Sequence, residues 1–327
     1  MALPDFLVVG APKAGTTALH VALSRHPRLH LSPVKEPKFF LTDGAPPPGA
    51  GGPGDERTFR EYVWRRADYE ALFDGAPPGT LRGESTTLYL RDPRAHERIA
   101  ATVPDAKLVA VVRDPVDRAH SNWTHLRSAG LEPEPDFLRA CALEESRAAR
   151  GWGPFWRYVD LGRYGAQLAH LYSVVPREQV HVVLYRHLRN DPVATLDGIC
   201  AFLGVEGGLV GEVPAENVTA AAAASGLDRL VGRVLPTADR LLPDRFVRPV
   251  TAGVRRRLQR EQRTRTPLTP AERAELLPAY SADITLLEGL TGLDLTHWRD
   301  ADNGTSRPPL PIRGRFGTAH SDIDRPV

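Results

Sequence analysis

Residues 6–23 constrain the fold more than any other part of the chain, because their order of residue types fits one local structure. The apolar run FLVVG leads into the turn APKAGTT, and residues with helical periodicity follow. This order predicts a buried strand, a glycine-rich loop and a helix whose N-terminus attracts an anion. In the triphosphate-binding loop G-x-x-x-x-G-K-[ST] a lysine follows the second glycine, but here Thr16 takes that position and Lys13 lies inside the loop. The loop therefore predicts a phosphate ligand other than an ordinary triphosphate.

Short β-branched runs alternate with segments of helical periodicity along the rest of the chain. Strands are predicted at 6–10, 80–84, 107–114 and 179–185. Helices are predicted at 15–26, 58–73, 115–129, 136–150, 160–175, 192–204 and 270–291, with Asp114 and Pro115 at the start of the third. This alternation predicts an α/β fold with three layers, a central parallel sheet flanked by helices, of the P-loop-containing nucleotide-binding type.

The domain organisation is expected to be simple. Residues 1–300 are predicted to form a single domain, and residues 301–327 an irregular tail. The proline- and glycine-rich residues 43–56 predict a flexible loop. A lid is expected at about 215–265, where the alanine-rich stretch 215–226 fits either a helix or a mobile segment. The N-terminus lacks a signal-peptide pattern and a bilayer-spanning apolar run, so we expect a cytoplasmic protein with no membrane partner.

The charge balance argues against a nucleic-acid partner. The chain has 42 basic and 40 acidic residues, so it offers no global basic field, and any anion site must be local. The two cysteines, Cys141 and Cys200, lack CxxC or metal-ligand spacing. We therefore expect them to have packing roles in a reducing compartment, and we expect no metal site.

Polar residues at the predicted strand ends are the candidates for chemistry, because ligands of an open parallel sheet bind outside the carboxyl ends of its strands. Arg113 lies where a nucleoside triphosphatase would place a magnesium-binding carboxylate, and its guanidinium suits a second phosphate. Ser121, two turns into the next helix, has a hydroxyl that can donate to the same anion. The alternative is that Arg113 pairs with a buried carboxylate and that Ser121 is only a helical residue.

Two further strand ends carry candidate residues. Glu84 ends a predicted buried strand, where a carboxylate without a purpose is costly, so it is a candidate general base. The alternative is that Glu84 caps a local turn with Ser85 and Thr86. Tyr185 ends the last predicted strand, and its ring either faces a nucleotide base or packs in the core.

Several of these segments resemble one family, the sulfotransferases that use 3′-phosphoadenosine 5′-phosphosulfate (PAPS). The 5′-phosphosulfate loop of that family is similar to GAPKAGTTAL, and its 3′-phosphate motif is similar to VVRDPVDRAHSNW. The bacterial and heparan-sulfate-type branch has segments leading to a catalytic glutamate that resemble HPRLHLSPVKEPKFF and GESTTLYL. Later segments are also similar, so the resemblance covers most of residues 5–300. The sequence departs from the family pattern at Arg186 and His187, where acidic residues are usual. It also departs at the basic segment 254–267, which either closes over the 3′-phosphate or is a solvated basic helix face.

The resemblance implies transfer of a sulfuryl group from PAPS to a hydroxyl of a small-molecule acceptor, such as a secondary metabolite or a carbohydrate, by in-line displacement. The product nucleotide is 3′-phosphoadenosine 5′-phosphate (PAP), and no metal is implied. Glu84 would take the acceptor proton, and Lys13 would meet the charge on the leaving phosphate. The residues implied in donor binding are Lys13, Ala14, Gly15, Thr16 and Thr17 at the 5′-phosphate, Arg113 and Ser121 at the 3′-phosphate, and Tyr185 near the base.

The acceptor site is predicted less sharply than the donor site. Lys35, Glu36, Lys38 and Tyr164 are expected to line it. Residues 151–165 are rich in aromatic side chains that either receive a flat acceptor or pack in the core, namely Trp152, Phe155 and Trp156. His120 and His125 are interpreted as helix-face packing residues, with a histidine base as the alternative. Two other function classes stay open: a P-loop kinase or nucleoside triphosphatase, and an inactive nucleotide-binding module.

Overall fold

The computed structural model describes residues 2–47, 51–209 and 267–300 of the chain. Five parallel strands form one sheet in the order β2-β3-β1-β4-β5. Their bounds are β1 Phe6–Gly10, β2 Leu29–Leu31, β3 Leu81–Ser85, β4 Lys107–Val112 and β5 Val180–Leu184. The predicted central parallel sheet flanked by helices is thereby confirmed.

Helices connect the strands and flank the sheet. The α-helices are α1 Thr16–Leu23, α2 Asp55–Arg60, α3 Arg66–Glu70, α4 Pro93–Thr102, α5 Pro115–Ser128, α6 Phe137–Ala142, α7 Glu144–Ala149, α8 Tyr164–Val174, α9 Tyr185–Asn190, α10 Pro192–Leu203, α11 Pro270–Leu276 and α12 Ser281–Thr291. Short 3₁₀ turns lie at Phe39–Leu41, Ala71–Phe73, Tyr89–Arg91, Pro154–Trp156, Asp160–Gly162, Arg177–Gln179, Leu277–Tyr280 and Thr296–Trp298.

The two central strands, β1 and β4, form the middle of the core. Every residue of both strands is buried except Lys107, which is half-buried. Strands covered on both faces read as continuous apolar runs, which explains why these two are recognisable in the sequence. Leu7 of β1 lies opposite Glu84 of β3 and Leu108 of β4. This register brings the chain segments that follow the three strands to one edge of the sheet.

The predicted helix at 58–73 is wrong, because the chain breaks between α2 and α3. The N–H of Val63 donates to the carbonyl oxygen of Pro37 (2.9 Å) instead of to a helical partner. Tyr62 thereby lies beside the segment that follows β2, where its ring is 4.9 Å from the Lys38 ammonium. The break therefore places an aromatic residue at the edge of the sheet where the strands end.

Other boundaries differ less. β2 has three residues, too few to show a strand pattern in sequence, and is held by its register with β3. Tyr185 does not end a strand: β5 ends at Leu184, and Tyr185 begins α9. The predicted helix at 136–150 is divided at Leu143 into α6 and α7, and that at 270–291 is divided at residues 277–280. The N-cap role predicted for Asp114 is confirmed, since its carboxylate accepts from two N–H groups of α5.

Several predictions fall outside the residues that the structure describes. They concern the lid at 215–265 with its stretch 215–226, the basic segment up to residue 266, and the tail at 301–327. Within the described ranges, no helix is long and apolar enough to cross a membrane. The same part of the chain contains no cluster of three or more His, Cys, Asp or Glu side chains suited to a metal ion.

Candidate active site

A cavity of about 650 Å³ opens at the carboxyl edge of the sheet. Residues that follow each of the five strands line it: Lys13 after β1, Glu36 after β2, Thr87 after β3, Arg113 after β4 and Tyr185 after β5. A parallel sheet brings these segments together, and ligands of such folds bind at this edge. The cavity is therefore the candidate active site.

The loop between β1 and α1 is shaped by two residues with left-handed backbone. Gly15 caps α1 with φ 82°, and Lys13 has φ 67°. A Cβ atom at position 15 would lie 2.9 Å from the ring of Tyr185, so the position requires glycine for its φ and for the approach of that ring. Thr16 and Thr17 begin α1 and line the cavity. A turn of this kind at a helix N-terminus favours an anion.

Arg113 joins this loop to Tyr185. Nη1 of Arg113 donates to the carbonyl oxygen of Lys13 (3.1 Å), and the guanidinium lies 4.9 Å from the centre of the Tyr185 ring. Ser121 of α5 also lines the cavity. The structure thus brings together the predicted donor-site residues from three separate strand ends, and Tyr185 both packs on the loop and lines the cavity.

Glu36 presents a carboxylate to the cavity, with 24% of its side chain exposed. Its backbone is left-handed (φ 62°), and its N–H donates to the carbonyl oxygen of Ser85 (2.9 Å). The carboxylate accepts from the Thr87 N–H and hydroxyl (3.0 Å each) and from Lys35 Nζ (2.7 Å). Burial alone would raise the pKa of Glu36, but the charges of Lys35 and Lys38 and these hydrogen bonds hold it below the ordinary value. Glu36 is therefore an ionised carboxylate at the cavity.

Glu84 lies beneath the cavity and does not line it. Its side chain is fully buried, and its carboxylate accepts from the hydroxyls of Tyr69 (3.2 Å) and Thr86 (2.9 Å). Burial raises the pKa of Glu84 to about 7. Thr86 Oγ1 in turn accepts from the N–H of Lys38 (3.2 Å). Glu84 thus supports the turn at 36–38 from within the protein, which corrects the expectation that its carboxylate meets the acceptor.

Two other predicted site residues also lie in the interior. Ala14 is fully buried, and its N–H donates to the carbonyl oxygen of Ala11 (3.2 Å), so it stabilises the loop from within. Tyr164, predicted as an acceptor contact, begins α8 and is fully buried with its ring 6.2 Å from that of Trp298. Neither residue lines the cavity.

The remaining predicted acceptor residues do line the cavity, and so does an aromatic surface that the sequence analysis left open. Lys35 pairs with Glu36, and the Lys38 ammonium lies over Tyr62. Apart from Tyr185, the aromatic lining consists of Phe59, Tyr62, Phe155 and Trp156, whereas Trp152 does not line the cavity. His125 lines the cavity with its ring 6.1 Å from that of Phe155, whereas His120 packs on Trp123 and Phe137, as interpreted from the sequence.

Asp55 fixes this aromatic surface, a role that the sequence analysis did not detect. Its buried carboxylate accepts from the Trp156 indole N–H (3.0 Å) and from the N–H groups of Gly153 (2.7 Å) and Gly52 (2.9 Å). The two segments it joins are about a hundred residues apart. Charge-assisted hydrogen bonds of this kind hold a side chain in one orientation.

The lining residues divide into three parts, which we name by their chemistry. The basic end consists of Pro12, Lys13 and residues 15–18 with Arg113, Ser121, Tyr185, Leu188, Arg189 and Pro192. The junction consists of Lys35, Glu36, Lys38 and Thr87. The aromatic end consists of Leu88 and of those residues within 53–62, 125–131 and 154–156 that line the cavity. Among the described lining residues, the basic end has three cationic side chains and no carboxylate.

Comparisons with known proteins agree with this arrangement. A family model described as "Sulfotransferase family" matches residues 55–207. Human heparan sulfate glucosamine 3-O-sulfotransferase 6 is 32% identical over 208 residues, which are 62% of this chain and 53% of that protein. Human bifunctional heparan sulfate N-deacetylase/N-sulfotransferase 3 is 30% identical over 218 residues, 62% of this chain and 22% of that protein. The chain therefore spans about half, or less, of the length of these relatives.

A solved structure extends the similarity over nearly the whole chain. A sulfotransferase from Alicyclobacillus acidocaldarius is 31% identical and superposes with a TM-score of 0.71, covering 92% of this chain and all of that one. This similarity confirms the predicted fold type and the resemblance drawn from the loop and strand-end motifs. From these matches and from the cavity at the strand ends, we conclude that the chain belongs to the sulfotransferase family.

Proposed function

We propose that the protein transfers a sulfuryl group from PAPS to a hydroxyl of a small-molecule acceptor. One observation carries this proposal: a single cavity combines a phosphate-type loop and three cationic side chains at its basic end with an ionised carboxylate, Glu36, at its junction. The relatives named above modify a hydroxyl or an amine, and a hydroxyl is the acceptor we propose here. A volume of about 650 Å³ is in the range of small-molecule sites.

The residues of the basic end fit the donor. Backbone N–H groups of the loop, with Thr16 and Thr17, would hold the 5′-phosphate, and Arg113 with Ser121 would bind the 3′-phosphate. Tyr185, which lies against Gly15 and Arg113, would contact the adenine base. PAPS supplies the sulfuryl group when it is bound. Arg113 stands where a kinase would need a metal-binding carboxylate, so this set of side chains suits a second phosphate better than a magnesium ion.

Glu36, and not Glu84, is the general base in this proposal. Its carboxylate lines the cavity and is ionised, whereas that of Glu84 is enclosed by Tyr69 and Thr86. Glu36 would accept the proton of the acceptor hydroxyl as the acceptor oxygen bonds to sulfur. The bond between sulfur and the 5′-phosphate oxygen breaks, its electron pair remains on that oxygen, and Lys13 would neutralise the charge that develops there.

Calorimetry and labelled-sulfate transfer test the proposal together. PAP should bind to the purified protein without magnesium, and labelled PAPS should give a sulfated product with a hydroxyl acceptor. Magnesium-dependent binding of ATP without binding of PAP would instead favour a kinase. Binding of PAP without a sulfated product from any acceptor in a broad screen would favour an inactive nucleotide-binding module.

We also propose a single domain over residues 1–300 and a cytoplasmic location. Support for the single domain comes from one hydrophobic cluster that includes side chains from Phe6 to Trp298. Both cysteines, Cys141 and Cys200, are buried free thiols, which agrees with a reducing compartment.

A further inference from the structure

We propose that the acceptor is an uncharged phenol or alcohol carried on an apolar ring system, and not a polyanionic sugar chain such as the heparan sulfate named for the relatives. This inference rests on the proposed function and specifies its substrate. It is carried by the aromatic end of the cavity, where Phe59, Tyr62, Phe155 and Trp156 face the ligand space. Aromatic walls contribute most of their binding free energy by removing apolar ligand surface from water.

The aromatic surface is fixed before any ligand binds. The Trp156 indole donates to Asp55 (3.0 Å), and its ring lies 4.8 Å edge-to-face from that of Trp152. Behind these two rings lies the Arg147 guanidinium, 4.8 Å from Trp152 and 5.7 Å from Trp156. Arg147 is itself held by a buried, two-bond ion pair with Glu132 (2.6 and 2.8 Å). A wall held in this way does not need to become ordered on binding, which favours a rigid, flat ligand.

The charges around this surface disfavour an anionic acceptor. The described lining residues of the junction and the aromatic end include three carboxylates, Glu36, Asp55 and Glu61, and two ammonium groups. One of these, Lys35, pairs with Glu36 at 2.7 Å, and the other, Lys38, lies over the Tyr62 ring. A carboxylated or sulfated chain would lose water without gaining an excess of positive charge. The basic end, with three cations and no carboxylate among its described lining residues, has the opposite character.

The proposed base lies next to the aromatic surface. Glu36 and Lys38 belong to the same turn, and Lys38 contacts Tyr62 of the aromatic end. Glu36 is also tied to Thr87 by two hydrogen bonds of 3.0 Å, so its carboxylate is oriented. A ring system packed on Phe59 and Tyr62 would thus carry its hydroxyl at the edge that faces Glu36.

Three acceptor probes separate the two substrate classes. 2-Naphthol and 6-hydroxy-2-naphthoic acid share one hydroxyl-bearing ring system and differ by a carboxylate. An octasaccharide of alternating glucuronic acid and N-acetylglucosamine supplies a polyanionic sugar chain. With labelled PAPS, we expect kcat/KM for 2-naphthol to exceed that for its carboxylate by at least about tenfold, and we expect no labelled octasaccharide. Preferential sulfation of the octasaccharide, or of the carboxylate, would overturn the inference.

Variants of the aromatic end test the surface itself. F155A and F59A should each raise KM for 2-naphthol about 10- to 100-fold, because each removes a large apolar contact. The KM for PAPS should not change, and F155L should recover part of the effect. Y172A is the matched control: Tyr172 is a half-buried aromatic residue that packs on Arg177 and does not line the cavity. Equal KM values for F155A, F59A and Y172A would overturn the inference.

Binding measurements distinguish failure of the inference from failure of the proposed function. If PAP does not bind by calorimetry, the proposed function fails. If PAP binds, the fluorescence of 2-naphthol is titrated with the PAP-loaded protein. A saturable signal that F155A weakens supports the inference even without turnover. Absence of that signal, while PAP binds, overturns the inference and leaves the donor assignment intact.

Discussion

The two ends of the cavity are built in different ways. The basic end depends mainly on one continuous segment, in which β1, the loop and α1 follow one another, and on Arg113 at the next strand end. The aromatic end is assembled from residues near 55, 125 and 155, and the Asp55 carboxylate joins the first of these segments to the last. In the proposed function the basic end holds the phosphates of the donor, and the aromatic end holds the acceptor. Donor and acceptor binding should therefore respond to separate sets of substitutions.

The largest effect is expected at the junction between the two ends. E36Q removes the proposed base but keeps the size of the side chain, so kcat should fall about 10²- to 10⁴-fold while PAP affinity stays the same. The measurement is labelled-sulfate transfer, with calorimetry for PAP. The comparison variant is E84Q, which should lose far less activity than E36Q, because the Glu84 carboxylate supports the turn at 36–38 but does not line the cavity. A large loss of activity in E84Q together with normal activity in E36Q would restore Glu84 as the base.

Glu36 and Glu84 also show how much of the candidate site could be predicted from the sequence. A carboxylate at the end of a buried strand is unusual, and that signal singled out Glu84 as a candidate base. It could not show that Tyr69 and Thr86 enclose that carboxylate, since Tyr69 belongs to a helix that sequence periodicity joined wrongly to its neighbour. Glu36 follows a strand of three residues, too short to be predicted, so nothing placed it at a strand end.

The same reasoning explains which parts of the two ends were predictable. The loop with Lys13 and Gly15 was predicted because its neighbours in sequence are its neighbours in space. Asp55 lies in a proline- and glycine-rich segment whose hydrogen-bond partners include Gly153 and Trp156, about a hundred residues away. Tyr164 was assigned to the acceptor site because it is close in sequence to Phe155, but α8 carries it into the core. Contacts between distant segments have no local sequence pattern.

A second prediction concerns the buried carboxylate that supports the junction. Because burial raises the pKa of Glu84 to about 7, the folded protein binds a proton there that the unfolded chain, with a pKa near 4.5, releases. The resulting stabilisation is complete below about pH 4.5 and decreases as the pH rises to about 7, by about 3 kcal/mol. Urea unfolding at pH 5 and pH 7.5 should therefore show a smaller loss of stability for E84Q than for the parent protein. Parallel pH profiles of the two proteins would contradict the prediction.

A third prediction tests the basic end alone. R113K keeps the charge but loses the guanidinium fork that reaches the Lys13 carbonyl and lies over Tyr185. PAP affinity should fall about tenfold, as expected for loss of one charge-assisted hydrogen bond. AMP, which lacks the 3′-phosphate, should bind parent and variant with similar affinity in the same calorimetric assay. The prediction fails if PAP and AMP weaken equally, since Arg113 would then act only on the loop.

The smallest effect is expected from D55N, which tests the aromatic end alone. Asp55 accepts three hydrogen bonds, two of them on one carboxylate oxygen. An asparagine side chain has an NH₂ group in place of one of the two oxygens, and this group is a donor that cannot accept from the N–H groups it would meet. Trp156 should therefore lose its fixed orientation, and KM for 2-naphthol should rise several-fold, about the effect of one weakened hydrogen bond. The control is D136N, in which the same substitution affects an exposed helix cap that bonds the N–H of Arg139 (2.7 Å). If D55N changes PAP affinity as much as it changes acceptor KM, the two ends of the cavity are coupled, and the separation of donor and acceptor binding does not hold.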